Sequence, residues 1–180
     1  MRVEKRVNEL QSEFTHRLDT RKNEERLINV KSSWQILVKY FLLRGYVLSV
    51  RYFPGDVKRQ DNLASGFGIA ELEKYVITKK KLNDHTIEIS CPLIPEVSDI
   101  VLSENPNPDS ICSLWDLKII TEDGKTIFYS HDWGSGTLLE LTSTDLEILI
   151  KQGINPTYLI TPAFVSADCT RIINGIPQFD

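Results

Sequence analysis

The sequence is short of the features that assign a function at a glance. It has only three cysteines, Cys91, Cys112 and Cys169, far apart and with no CxxC pair. That spacing argues against a disulfide framework or a cysteine-based zinc cluster and predicts buried free thiols. The three histidines, His16, His85 and His131, are scattered and form no spaced ligand set with the carboxylates, so no metal and no cofactor are expected. No apolar run approaches the length of a membrane span, which leaves no expected role at a membrane. The N-terminal stretch MRVEKRVNELQ is charged throughout and has no signal-peptide core, so a cytoplasmic location is expected. There are no internal repeats and no low-complexity segments. Basic residues are themselves scarce in one region: residues 83–150 hold 2 Lys/Arg against 13 Asp/Glu, while residues 1–60 hold 13 against 7. The acidic block would repel nucleic acid and steer cationic partners, unless the basic N-terminal third simply compensates it within the chain.

What is present fits one domain over residues 1–180. The chain is 41% apolar and 26% charged, enough for a sizeable core in a globular protein. Val3, Val7, Leu10, Phe14 and Leu18 recur at helical spacing, with Glu13 and Arg17 placed for an i,i+4 pair, and predict an amphipathic helix over 1–30 that docks or pairs. A second, mostly apolar helix is expected from Ser32-Ser33-Trp34-Gln35, which has the form of a capping box, to Gly45. Tyr46 to Phe53 reads as a strand stopped by Pro54-Gly55, and residues 54–68 as a loop. A short helix follows at Ile69–Val76. His85 to Cys91 alternates like a half-buried strand, and Val97 to Leu102 is open between helix and strand.

The clearest piece is a β-meander. Ile111 to Thr121 is a predicted strand. Asp123-Gly124 suits a type I′ hairpin turn, Thr126 to Trp133 is the partner strand, and Thr137 to Leu141 a third. Thr144 to Glu147 has capping-box form and opens a helix ending at Gly153, with Thr157 to Thr161 as one more strand. The tail over 170–180 is expected to be loose. The fold class expected is therefore α+β: two N-terminal helices packed on a largely antiparallel sheet, with the meander followed by a short helix.

Ser130-His131-Asp132 invites a catalytic reading. On a strand, however, neighbours point to opposite faces, which separates His131 from Ser130 and Asp132, and working triads are assembled from distant positions. Pro108-Asp109 followed by Asp116-Leu117-Lys118 is similar to the PD-(D/E)xK nuclease motif, in which two carboxylates hold a divalent ion and a lysine assists the attacking water. Asp109, Asp116 and Lys118 are thus the alternative, hydrolase-type candidates. Ser65-Gly66-Phe67-Gly68 lacks the Gly-Lys-Ser/Thr ending of a phosphate loop. Lys79-Lys80-Lys81 and the basic N-terminal third could touch nucleic acid, although no stacking-aromatic pattern accompanies them.

The run from Leu114 to Leu149, a hairpin, a Trp-Gly turn and a capped helix, resembles segments of small bacterial immunity and antitoxin-like proteins over about a fifth of the chain. That pattern is generic and transfers no residue role. The reading that the residues favour is a non-enzymatic interaction protein, an inhibitor or immunity-type protein, binding a basic protein partner through an acidic surface. Its candidate contacts are Glu122 and Asp123 at one turn and Asp132 and Trp133 at the other.

Overall fold

A computed structural model describes residues 14–20, 24–55, 57, 67–103, 109–161, 169–173 and 176–179. The elements in order are β1 (His16–Leu18), α1 (Glu24–Leu42), β2 (Val47–Tyr52), α2 (Ile69–Leu72), β3 (Thr78–Lys81), β4 (Ile87–Pro92), α3 (Pro95–Leu102), β5 (Asp116–Ile120), β6 (Thr126–His131), β7 (Gly136–Leu139), α4 (Ser143–Lys151), β8 (Leu159–Ile160), β9 (Cys169–Ile173) and β10 (Ile176–Phe179). Eight strands form one open sheet in the order β3-β4-β2-β5-β6-β7-β1-β8, and every neighbouring pair is antiparallel. The C-terminal stretch expected to be loose contains a separate antiparallel pair, β9 with β10. The fold is α+β. Among the described residues no helix is long and apolar enough to cross a membrane.

Alternation along the strands decides which face is the core. Leu48 and Val50 of β2 sit opposite Cys91 and Ile89 of β4 and Ile119 and Leu117 of β5, and all six are buried. Phe128 and Ser130 of β6 continue that face to Leu139 and Thr137 of β7. Helix α1 lies on it. Its buried residues Val30, Ser33, Trp34, Leu37, Val38, Phe41 and Leu42 recur at i+3 and i+4, the spacing of a single stripe, while Gln35 and Lys39 face solvent as the polar positions predicted. Trp34 and Phe41 both pack on Phe128, with ring centroids 6.2 Å and 5.4 Å away. Helices α3 and α4 contact α1, burying Val97 and Val101 from one and Leu149 from the other. No helix packs on the opposite face among the described residues.

Several sequence expectations are corrected. The described N-terminal region contains one helix, not two. His16–Leu18 is a strand inserted between β7 and β8, and the Thr15 hydroxyl hydrogen-bonds to Leu139 O and Leu141 O. Phe14 and Leu18, which gave the helical spacing, are buried all the same, at 3% and 0% exposure. Strand pairing thus overrides local periodicity there. Val3, Val7, Leu10 and Glu13 lie outside the described residues. The Ser32–Gln35 box caps nothing, because α1 already runs from Glu24 and Val30, upstream of the box, is already buried.

The box that forms at α4 is two residues earlier than expected. Thr142 is the N-cap, its hydroxyl accepts from Asp145 N, and Asp145 accepts from Thr142 N. The hairpin at 121–125 is not type I′, since Gly124 alone in that turn has positive φ; Gly124 N–H donates to Thr121 O and Thr121 N–H to Lys125 O. Val97–Leu102, left open by the sequence, belongs to helix α3, opened by Pro95.

Candidate functional site

The helix-free face of the central strands is neither apolar nor fully exposed. By register, Arg51 of β2, Asp116 and Lys118 of β5, and Tyr129 and His131 of β6 share it: Arg51 is opposite Asp116, Asp116 opposite His131, and Lys118 opposite Tyr129. Asp116 is 6% exposed. Its Oδ2 accepts a hydrogen bond of 3.1 Å from the Tyr129 hydroxyl. The Lys118 ammonium lies over the Tyr129 ring at 5.2 Å, and the Arg51 guanidinium over Trp115 at 5.3 Å. Arg51 is also committed to an ion pair with Asp84 and a 2.8 Å bond to the Thr86 hydroxyl. At the rim, Phe53 stacks on Trp115 at 4.6 Å.

Burial sets the electrostatics. It raises the Asp116 pKa, against the opposing pull of Lys118, the Tyr129 hydroxyl and Arg51. Burial, with the Asp116 charge and hydrogen bond, also raises the Tyr129 pKa, so this phenol stays a donor throughout the physiological range. The His131 pKa is lowered by burial, with Asp132 opposing and Arg17 adding to the shift. The imidazole is held tightly: it lies over Gly136, its directly opposed partner on β7, where a Cβ would come within 2.0 Å of His131 Nε2. Gly136→Ala should therefore push the ring toward solvent and move its pKa back up toward 6.5, visible in an NMR titration. A titration unchanged by the substitution would mean that the ring is not held there.

Strand β6 stops at His131 because Asp132 and Trp133 both adopt left-handed backbone, at φ 51° and 52°, followed by Gly134 at 91°. Two consecutive residues with side chains in that region are costly and usually over-determined by their surroundings. Here the surroundings are visible. Trp133 O accepts from both Ile111 N and Cys112 N, and Trp133 N donates to Trp115 O. The turn thus ties segment 111–115 to the end of β6, which is why the predicted strand Ile111–Thr121 begins only at Asp116. Trp133 is half-buried, and its indole N–H is buried without an acceptor among the described residues. Asp132 is exposed, its Oδ2 accepting from the Ser135 hydroxyl at 2.7 Å.

The Ser-His-Asp run is accordingly taken apart. Ser130 is fully buried on the core face, where its hydroxyl accepts from Trp34 Nε1 at 3.0 Å and meets the Thr137 hydroxyl at 3.2 Å. His131 is on the other face. Asp132 has left the strand, so it does not share a strand face with Ser130 as alternation alone suggested.

Of the residues singled out from sequence, Asp116, Lys118, Asp132 and Trp133 converge at the β5-start and β6-end side of the sheet. Asp109, exposed, precedes the Ile111 that bonds to Trp133 and belongs to the same end. No three His, Cys, Asp or Glu side chains group as metal ligands among the described residues. Glu122 and Asp123, both exposed, lie at the opposite end of β6. At about 3.4 Å per residue, that strand separates the two acidic turns by about 20 Å. Sequence reasoning missed Arg51, Tyr129 and Trp115. Tyr129 comes to Asp116 through the β5–β6 hairpin, which the Asp-Gly turn signals, whereas Arg51 comes to it only through the long-range β2–β5 pairing, for which no local signal exists.

Part of the acidic block is compensated within the chain: Arg44 pairs with Asp145, Arg51 with Asp84 and Lys125 with Glu140. Comparison with family models, with curated proteins and with solved structures finds no match to this chain.

Proposed function

We propose that the protein is a non-enzymatic interaction protein, of inhibitor or immunity type, that binds a basic protein partner along the helix-free face of β5 and β6. The observation that carries the reading is the turn Asp132–Gly134. It combines left-handed backbone, an indole N–H lacking an acceptor among the described residues and an exposed carboxylate, beside a rim of Trp115, Phe53 and Arg51. Trp, Tyr and Arg are the side chains that dominate binding hot spots, and strained turns persist where they serve a site.

The two acidic turns belong to one footprint under this reading. A standard protein interface covers about 800 Å² per partner, a patch roughly 30 Å across, which spans the length of β6 and takes in Glu122 and Asp123 at one end and Asp132 at the other. Internal pairing of Asp84, Glu140 and Asp145 leaves these turns as the acidic positions facing outward along that strand.

The test is retention of a partner. Wild-type protein, used as bait in an extract of the cells that make it, should retain a basic protein whose binding weakens with salt. The combined substitutions Glu122→Lys, Asp123→Lys and Asp132→Lys should reduce retention at least tenfold with the fold intact. Equal retention by both baits would remove the acidic turns from function.

A further inference from the structure

The centre of the proposed footprint holds a carboxylate with few partners for its burial. Asp116 is 6% exposed, yet its single hydrogen bond among the described residues is the neutral one from Tyr129. A buried carboxylate ordinarily carries a cation or several donors. Two cations are close, but each is engaged elsewhere: Arg51 with Asp84 and Thr86, and Lys118 over the Tyr129 ring. Neither forms an ion pair with Asp116, and Oδ1 accepts nothing among the described residues. Tyr129 on the next strand donates to Asp116, and the Trp115 ring lies against Arg51, the residue directly opposite Asp116 on β2.

We infer that Asp116 is the receptor for an arginine side chain of the basic partner, whose guanidinium would bridge Asp116 Oδ1 and the aromatic flank of Tyr129, close to the Trp115 that Arg51 and Phe53 cover. This rests on the interaction reading above and names its central contact. Arginine fits better than lysine for three reasons. Its planar fork can engage a carboxylate with two parallel N–H bonds, it sheds water more readily, and it stacks on rings. The neutral Tyr129 hydroxyl keeps Oδ2 oriented and leaves Oδ1 to the incoming donor. The rim carboxylates Asp132, Glu122 and Asp123 would then attract the partner, while Asp116 supplies the desolvated contact on which tight complexes depend.

The experiment uses the full chain and a defined probe, N-acetyl-arginine amide, with N-acetyl-lysine amide beside it, followed by NMR of the tryptophan indole and tyrosine ring signals. The arginine probe should give saturable shifts at Trp115 and Tyr129, at least threefold tighter than the lysine probe. Asp116→Asn, which keeps shape and removes charge, should weaken the arginine probe at least tenfold. Tyr129→Phe, which leaves the carboxylate in place, should change it less than threefold. The inference is overturned if the arginine probe produces no saturable shift, or if Asp116→Asn binds it as wild type does. Amide spectra of each variant report folding. Failure of the probe alongside loss of the partner in the acidic-turn variant would sink the Asp116 contact and keep the interaction reading. Probe binding at Asp116 with unchanged partner retention in that variant would do the reverse.

Discussion

Phe128→Ala is expected to cost about 3–5 kcal/mol of stability, the range for removing a large buried aromatic ring from a well-packed core. For a chain of this size that corresponds to a fall in Tm of about 10 °C. Phe128 is fully buried at the middle of the core face, opposite Ile119 of β5 and Leu139 of β7. It is also the ring on which α1 lands, through Trp34 at 6.2 Å and Phe41 at 5.4 Å. Deleting it would open a void between the longest helix and the sheet. It would also loosen the support of Trp34, whose indole N–H donates to the buried Ser130. Phe53→Ala is the matched control: that ring is 39% exposed at the rim, stacked on Trp115, and its loss should cost about 1 kcal/mol. Urea unfolding of the two variants beside wild type checks both. A Phe128 cost below the Phe53 cost would mean that α1 does not pack as described.

The elements best read from sequence were those whose local signals and tertiary surroundings agree. Trp34 to Leu42 is apolar at helical spacing and buries that stripe, and the Glu122–Lys125 turn joins two strands that pair as expected. The failures share one physical cause. Phe14 to Leu18 has helical spacing but becomes strand, because β7 and β8 offer it hydrogen-bonded neighbours on both sides. A periodicity over a few residues cannot register that competition. Capping boxes at Ser32 and Thr144 are legible as patterns but sit inside or beside the true helix starts: α1 already runs from Glu24, and the Thr142–Asp145 pair caps α4.

The candidate site was legible by halves. Placing Asp116 and Lys118 on one face needs only strand alternation, and the split of Ser130 from His131 follows from the same rule. Asp132 escaped that rule because two left-handed residues end the strand; an aspartate tolerates such a backbone, but no feature of Trp133 predicts it. Arg51 lies far upstream of Asp116 in the chain and reaches it only through the β2–β5 pairing. The acidic block, conspicuous in sequence, turned out to combine internal ion pairs with outward turns, a distinction that composition alone does not contain.

Asp145→Asn should be the most damaging single change of charge, costing about 2–4 kcal/mol at neutral pH, because it strikes the joint between α1 and α4. Asp145 is buried, and its two oxygens are fully used. Oδ1 accepts from the Tyr40 hydroxyl and from Arg44 Nη1, each at 2.6 Å, and Oδ2 from the Thr142 N–H and hydroxyl, each at 2.8 Å. Burial would raise the pKa of this carboxylate, but the bonds from Tyr40 and Thr142, with Arg44 beside them, outweigh it and bring the value down to about 2, from 3.8 for a free carboxyl. The sign follows from that depression. The native state holds the proton less readily than the unfolded chain, so the ionised carboxylate stabilises the fold fully above pH 3.8, and that contribution is lost as pH falls through about 2. With Arg44 45% exposed and its charge screened by water, this pH-dependent part should be about 1–2 kcal/mol. Unfolding measured at intervals from pH 6 to pH 2 should show wild type losing its advantage over Asp145→Asn below pH 4, while Arg44→Met, which removes only the exposed cation, costs about 1 kcal/mol and keeps the remaining bonds. A gap between wild type and Asp145→Asn that stayed constant down to pH 2 would assign the joint to shape and hydrogen bonding alone, without a part for the charge.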